Sequence, residues 1–175
     1  PFLRKADAGY EKRLKLLSPT DRKALLDGVW ELNEGQYFSE FSRDLHVVKP
    51  YAIPHDWRRC LTIDYGLDML AALWIAQSPD GHSVVYRELY RPGLIISEAA
   101  AQMLACETAG EHIDCRLAPP DLWNRRQETG RSAVELFADS GLDFVKSSNE
   151  RVAGWLALHE LLMPRKDTDG AVRPR

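Results

Sequence analysis

Three strand-length apolar runs follow one another between Cys60 and Tyr90, with links too short to hold a helix. They are Cys60 to Tyr65, Ala71 to Ser78 and Ser83 to Tyr90, and Ser78-Pro79-Asp80-Gly81-His82 is a strong turn signal between the last two. Strands joined this closely pair as an antiparallel meander, because a parallel crossover needs about a dozen residues or more. Past Pro92-Gly93 the pattern changes. Ile96, Ala100, Met103 and Leu104 share one face of a helix expected over Ile96 to Thr108. A fourth strand is expected over Ile113 to Leu117, ended by Pro119-Pro120, and a helix over Ser132 to Ser140 with Gly141 just past its end. A short strand from Leu142 to Val145 and a helix from Asn149 to Leu162, stopped by Pro164, complete the series. Strands first in a meander and then alternating with helices predict the α/β class: a mixed sheet flanked by helices.

The N-terminal third reads differently. Tyr10, Leu14 and Leu17, then Leu25 and Leu26, recur near helical spacing. Ser18 fits an N-cap and Pro19 a first helical position, so two helices are expected, one ending near Leu17 and one from Pro19 to Asp27. Trp30, Tyr37, Phe38 and Phe41 suggest an aromatic loop packed on a neighbouring surface, and Pro50 and Pro54 predict an extended lead-in from His46 to Pro54. The expected division is therefore a helical arm and linker over 1–54 and an α/β domain over 55–175, with the polar residues 165–175 lacking regular structure. The chain has 175 residues and no starting Met, and is expected to be a fragment of something longer. No apolar run approaches the ~20 residues that span a bilayer, and Pro1 to Asp7, with no h-region or cleavage pattern, is not expected to be a signal peptide. Cys60, Cys106 and Cys115 contain no Cys-x-x-Cys pair and read as reduced, buried thiols of a cytoplasmic protein. The net charge of −3 argues against tight autonomous nucleic-acid binding, but not against an enzyme that receives nucleic acid from a partner or another domain.

Chemistry concentrates at strand ends. Asp64 closes the apolar segment Cys60-Leu61-Thr62-Ile63-Asp64-Tyr65-Gly66. A central strand that buries an acid must give it a partner: a positive side chain, backbone donors or a metal ion. Gly66 would let the chain turn tightly and a ligand approach the backbone. The alternative is an acid that caps a turn or pairs with an arginine. Asp121 follows the fourth strand in Leu117-Ala118-Pro119-Pro120-Asp121-Leu122-Trp123. In a ribonuclease-H-like sheet the first and fourth strands are neighbours, and the two acids would then stand at the same end. Converging carboxylates repel, and a hard divalent cation, Mg2+ or Mn2+, relieves that cost. Two such ions ~4 Å apart can activate a water and stabilise the leaving oxygen of a phosphodiester. Asp68 is an auxiliary metal-site candidate or a turn residue; Glu88, between Arg87 and Arg91, is an auxiliary ligand or half of a surface ion pair. Arg125, Arg126 and Arg131, leading into a helix, suit DNA phosphate or form a solvated loop. Arg151 and Trp155 are expected to pack together, or Trp155 to enter the core. The five histidines have no zinc-ligand spacing, no phosphate loop occurs, and Ser83, Ser97 and Ser132 lack a nucleophile-elbow context. An actin-like or sugar-kinase-like phosphotransferase would need a second glycine-rich phosphate loop, which the sequence does not contain.

Leu25-Leu26-Asp27-Gly28-Val29-Trp30 and Gly35-Gln36-Tyr37-Phe38 resemble the segment joining the two domains of tailed-bacteriophage terminase large subunits. Thr62-Ile63-Asp64-Tyr65-Gly66 with Ala72-Leu73-Trp74 resembles the opening of their C-terminal nuclease domain. Val85 to Tyr90, Ala118 to Trp123, Gly130-Arg131-Ser132-Ala133 and Arg151 to Trp155 follow in the family's order, so the resemblance runs nearly the whole chain. It implies a ribonuclease-H-like endonuclease that cuts concatemeric viral DNA during packaging, with two divalent metals. Asp64 matches the family's first catalytic aspartate and Asp121 best matches the second acid; some relatives carry that acid where this chain has Pro119. A third aspartate is expected on a later segment, where only Asp167 and Asp169 occur, and ATP would belong to a motor domain upstream. Without both, the fragment is expected to be weak or inactive as a nuclease. The resemblance further implies double-stranded DNA, a small terminase subunit and a portal protein as partners, no membrane, and the bacterial cytoplasm as location, the gene being carried by a phage or prophage. The competing expectation is a non-catalytic ribonuclease-H-like docking module for portal or motor partners.

Overall fold

The structure is a computed structural model that describes residues 37–166, 170 and 172–174. The helices expected before Gly28, together with Trp30, Asp167 and Asp169, lie outside the described residues. The chain divides into two compact units, residues 1–39 and 40–175. The described part of the first is Tyr37-Phe38-Ser39, where the two rings meet edge-on at 5.0 Å.

The second unit opens with one helical turn, α1 (Arg43–His46), between the expected aromatic loop and the stretch expected to be extended from His46. Sequence periodicity is too short to announce it. The turn is held by the His46 ring, whose Nδ1 accepts from the Ser42 N–H at 3.0 Å while Nε2 donates to the Leu162 carbonyl at 2.9 Å. Strands β1 (Arg58–Tyr65), β2 (Met69–Gln77) and β3 (Ser83–Pro92) then form the expected antiparallel meander. Helix α2 (Ile96–Cys106) carries the chain back to β4 (Cys115–Ala118), which runs parallel to β1. A 3-10 turn, Pro120–Trp123, and helix α3 (Ala133–Asp139) lead to β5 (Val145–Lys146), parallel to β4. The five strands make one sheet in the order β3-β2-β1-β4-β5, the mixed sheet the sequence predicts. Helix α4 (Arg151–Leu162) follows. Beyond it β6 (Arg165–Lys166) pairs antiparallel with β7 (Val172–Arg173), so the tail expected to be irregular holds a two-stranded ladder.

Burial alternates along β2 and through the middle of β1, but not along β3. Leu61 and Ile63 on β1, Leu70, Ala72, Trp74 and Ala76 on β2, and Ala118 on β4 share one face and are buried. Ile96, Ala99, Ala100 and Met103 of α2, with Ala133 and Phe137 of α3, complete the same core. Leu104, expected on that face of α2, is 38% exposed. Phe137 is fully buried, meeting Tyr65 at 5.3 Å and Phe144 at 5.4 Å, both edge-on, the geometry that ring quadrupoles favour. On the opposite face Cys60, Thr62, Leu73 and Ile75 are half-buried, and Val85, Tyr90 and Val145 are exposed. The three cysteines are likewise half-buried, not buried as expected. No α4 residue is buried, and Trp155 is 41% exposed, outside the core.

Candidate functional site

The parallel β1–β4 pair sets the geometry. Its register matches Cys60 with Cys115, Leu61 with Arg116 and Thr62 with Leu117. Carried two residues further, Asp64 stands level with Pro119, and Asp121 follows in the 3-10 turn. Both acids thus lie at the carboxyl ends of adjacent parallel strands, as the sequence reading required. Both are exposed, and among the described residues neither side chain has a hydrogen bond or ion pair. The expectation that Asp64 is buried and must be paired is therefore corrected. It sits on the sheet face that α2 and α3 leave uncovered, where water bears its charge. Gly66 also plays a lesser part than expected. Its N–H donates to the Met69 carbonyl at 2.9 Å to close the β1–β2 link, its φ is not positive, and an added Cβ would meet only that carbonyl oxygen at 3.8 Å.

The auxiliary residues separate. Asp68 is an exposed turn residue whose carbonyl accepts from the Gly93 N–H. Glu88 pairs with Leu73, which pairs with Thr62, so Glu88 lies on the same face as Asp64. Two strand spacings, about 10 Å, separate β3 from β1. Among the described residues Glu88 makes no ion pair, so the surface pair that was its alternative reading is absent, and the adjacent Arg87 turns to Glu111 at 2.9 Å. Among the three arginines, Arg131 pairs with Asp139 at 2.7 Å and Arg125 lies 3.6 Å from Glu135. Arg126 makes no side-chain ion pair among the described residues; it borders a groove of about 390 Å3 with Tyr65, Ile96, Ser97 and Asp139. The Tyr65 phenol is raised by burial, against the opposing pull of Arg126, and donates to the Leu94 carbonyl at 2.8 Å. Arg126 therefore lies by the β1 terminus on the helix-covered side of the sheet, the face opposite Asp64.

The strongest polar cluster was not legible in the sequence. Glu111 accepts from Tyr86 Oη at 2.7 Å, Arg87 Nη1 at 2.9 Å and the Thr108 N–H at 3.0 Å. Burial would raise its carboxyl; these donors and the Arg87 charge override that and hold it at about 2. Two consecutive residues of one strand reach a single carboxylate because the β2–β3 register shifts between Trp74 and Ile75, a bulge that aims neighbours the same way. Arg116 binds Glu107 at 2.6 Å, and the Trp74 indole N–H lies 3.4 Å from the same carboxylate. All these acids are spent on cations and donors, which distinguishes them from Asp64 and Asp121. Among the described residues no group of three His, Cys, Asp or Glu side chains is arranged to hold a metal ion, and no helix is long and apolar enough to cross a membrane.

No protein-family model matches the chain, and no curated protein matches it. Solved structures do. The large terminase from a thermophilic bacteriophage, in its crystal form 2, superposes with a TM-score of 0.57 at 15% identity over 83% of this chain and 39% of that one. The same terminase in complex with ADP gives 0.56 at 15% identity over 87% of this chain and 37% of that one. The large terminase nuclease from a second thermophilic phage, G20c, aligns over 79% of this chain and 88% of that one at 16% identity and a TM-score of 0.45. This chain spans about two-fifths of the length of the first terminase. It has the fold of part of a phage large terminase.

Proposed function

We propose that the chain is the nuclease portion of a phage DNA-packaging terminase large subunit, cutting double-stranded concatemeric DNA by metal-dependent phosphodiester hydrolysis. The carrying observation is the pair of exposed carboxylates, Asp64 and Asp121, at the ends of adjacent parallel strands with no cation of the protein to neutralise them among the described residues. The fold shared with the thermophilic phage's large terminase supports the same reading. The donor set fits Mg2+ or Mn2+: hard oxygens, few in number, of the kind that hold such ions together with water and substrate phosphate. Asp64 and Asp121 would be the protein ligands, and bound ions would supply an activated water and charge stabilisation at the leaving oxygen. Among the described residues Arg125 and Arg131 are engaged by acids and Arg126 is not, which favours Arg126 for DNA phosphate. Small-subunit and portal partners, and ATP at a separate motor domain, belong to the same proposal.

The test is a calorimetric Mn2+ titration of the wild type, Asp64→Asn and Asp121→Asn, with plasmid nicking read on the same samples. Binding in the wild type that weakens at least about tenfold in both variants is expected from losing one charged ligand. Unchanged binding in Asp64→Asn overturns the site. A second reading is favoured by the lack of a third acid beside the pair among the described residues. It is a non-catalytic docking module for portal or motor partners, and binding to those partners that ignores both metal and Asp64→Asn would select it.

A further inference from the structure

The one close pair of sulfurs among the described residues lies at the other end of the same strand pair. Cys60 and Cys115 are register partners on parallel β1 and β4, and their Sγ atoms are 2.8 Å apart. Adjacent paired strands hold Cα atoms about 4.8 Å apart, inside the window of about 4.4–6.8 Å that a disulfide requires. The thiols are neither sealed in nor fully exposed. They border an open groove of about 250 Å3 lined also by Arg58, Ile75, Gln77, Ser83 and Asp114, on the sheet face that α2 and α3 leave open. Cys106, the third thiol, packs against the core from α2 and is remote in register from both.

We infer that Cys60 and Cys115 form a dithiol–disulfide couple that ties β1 to β4 when the chain meets a small-molecule disulfide. The exchange balances in two steps. One cysteine, as thiolate, attacks a sulfur of the oxidant, breaks its S–S bond and releases one thiol. The second cysteine, losing its proton, attacks the protein-bound sulfur of that mixed disulfide and releases the other. Two protein thiols and one oxidant disulfide become one protein disulfide and two small thiols. Burial and the neighbouring thiol push Cys60 up to about 12, so its thiolate is scarce at neutral pH. The bond would join β1, which carries Asp64 near its end, to β4, which leads into the turn of Asp121, at a level below both acids.

The experiment titrates the folded wild-type chain with oxidised glutathione, alkylates the remaining thiols and maps the peptides. The expected product links the peptides of Cys60 and Cys115, leaves Cys106 open to alkylation and carries no lasting glutathione. Because the closed loop spans a sequence separation of 55, the melting temperature should rise by roughly 5–15 °C. Stable glutathione adducts on separate sulfurs, a link to Cys106, or a linked product that melts no higher than the reduced chain overturns the inference. A trivalent arsenical, phenylarsine oxide, supplies an independent reading, since it is captured tightly only by two adjacent thiols. Equimolar capture by the reduced wild type, weakened at least about tenfold in Cys60→Ser and Cys115→Ser, supports the pair. Failure of the wild type to capture it refutes the pair without appeal to any variant.

Discussion

Replacing Glu111 by Gln should cost stability in a way that pH reveals. The side chain is 7% exposed and accepts from Tyr86, Arg87 and Thr108. Its carboxyl falls from an ordinary 4.5 to about 2 on folding, hydrogen bonds and the Arg87 charge outweighing burial. A depressed carboxylate stabilises the fold wherever the unfolded chain is also ionised, and that contribution disappears as pH falls through the folded value. At ~1.4 kcal/mol for each tenfold difference in proton affinity, the contribution is about 3 kcal/mol at neutral pH. The window follows from the two values. The contribution is nearly complete at pH 4.5, less than half remains at pH 3, and little survives at pH 2. Urea unfolding of wild type and Glu111→Gln at pH 7, 4.5 and 3 measures the difference directly. A gap of the same size at pH 7 and pH 3 would refute the argument, because the charge would then contribute nothing that protonation removes.

Three further outcomes follow from the packing. Phe137→Ala removes a fully buried ring held between Tyr65 and Phe144 and should cost about 3–5 kcal/mol in denaturant unfolding. Ser132→Ala breaks a reciprocal cap in which Ser132 Oγ accepts from the Glu135 N–H and Glu135 accepts from the Ser132 N–H, and should cost about 1 kcal/mol by the same assay. Gly66→Ala, beside Asp64, should change stability by less than about 0.5 kcal/mol and leave Mn2+ affinity intact, since neither φ nor space demands glycine there.

The meander and the crossover helices could be read from the sequence because each is written in local signals, whereas the β1–β4 adjacency followed from the strand order of a ribonuclease-H-like sheet. Ser78 to His82 announces a turn, apolar spacing announces α2, and Gly141, with φ +87°, marks the end of α3. What stayed hidden depends on contacts between distant segments. The α1 turn owes its hold partly to His46 reaching the Leu162 carbonyl. The bulge in the β2–β3 register decides that Tyr86 and Arg87 both face Glu111 while Glu88 faces the other way, and alternation counted along β3 cannot detect it. At the candidate site, strand ends gave the positions of Asp64 and Asp121 but not their exposure, which depends on which sheet face the helices choose. The arginines were equally opaque. Among the described residues, ion pairs with Asp139 and Glu135 engage two of three similar cations, and the third has none.

The parallel pairing of β1 with β4 also has a temporal meaning. The hairpins β1–β2 and β2–β3 close short loops and can form early, whereas β4 joins β1 only after α2 has carried the chain across. Asp64 therefore belongs to the part of the sheet built from short-range pairings, and Asp121 to the part that needs the long-range one. A chain in which only the meander has formed does not hold both acids at one edge. The half-assembled meander presents one lone carboxylate, so any chemistry that needs the pair is withheld until the slow, long-range contact is made.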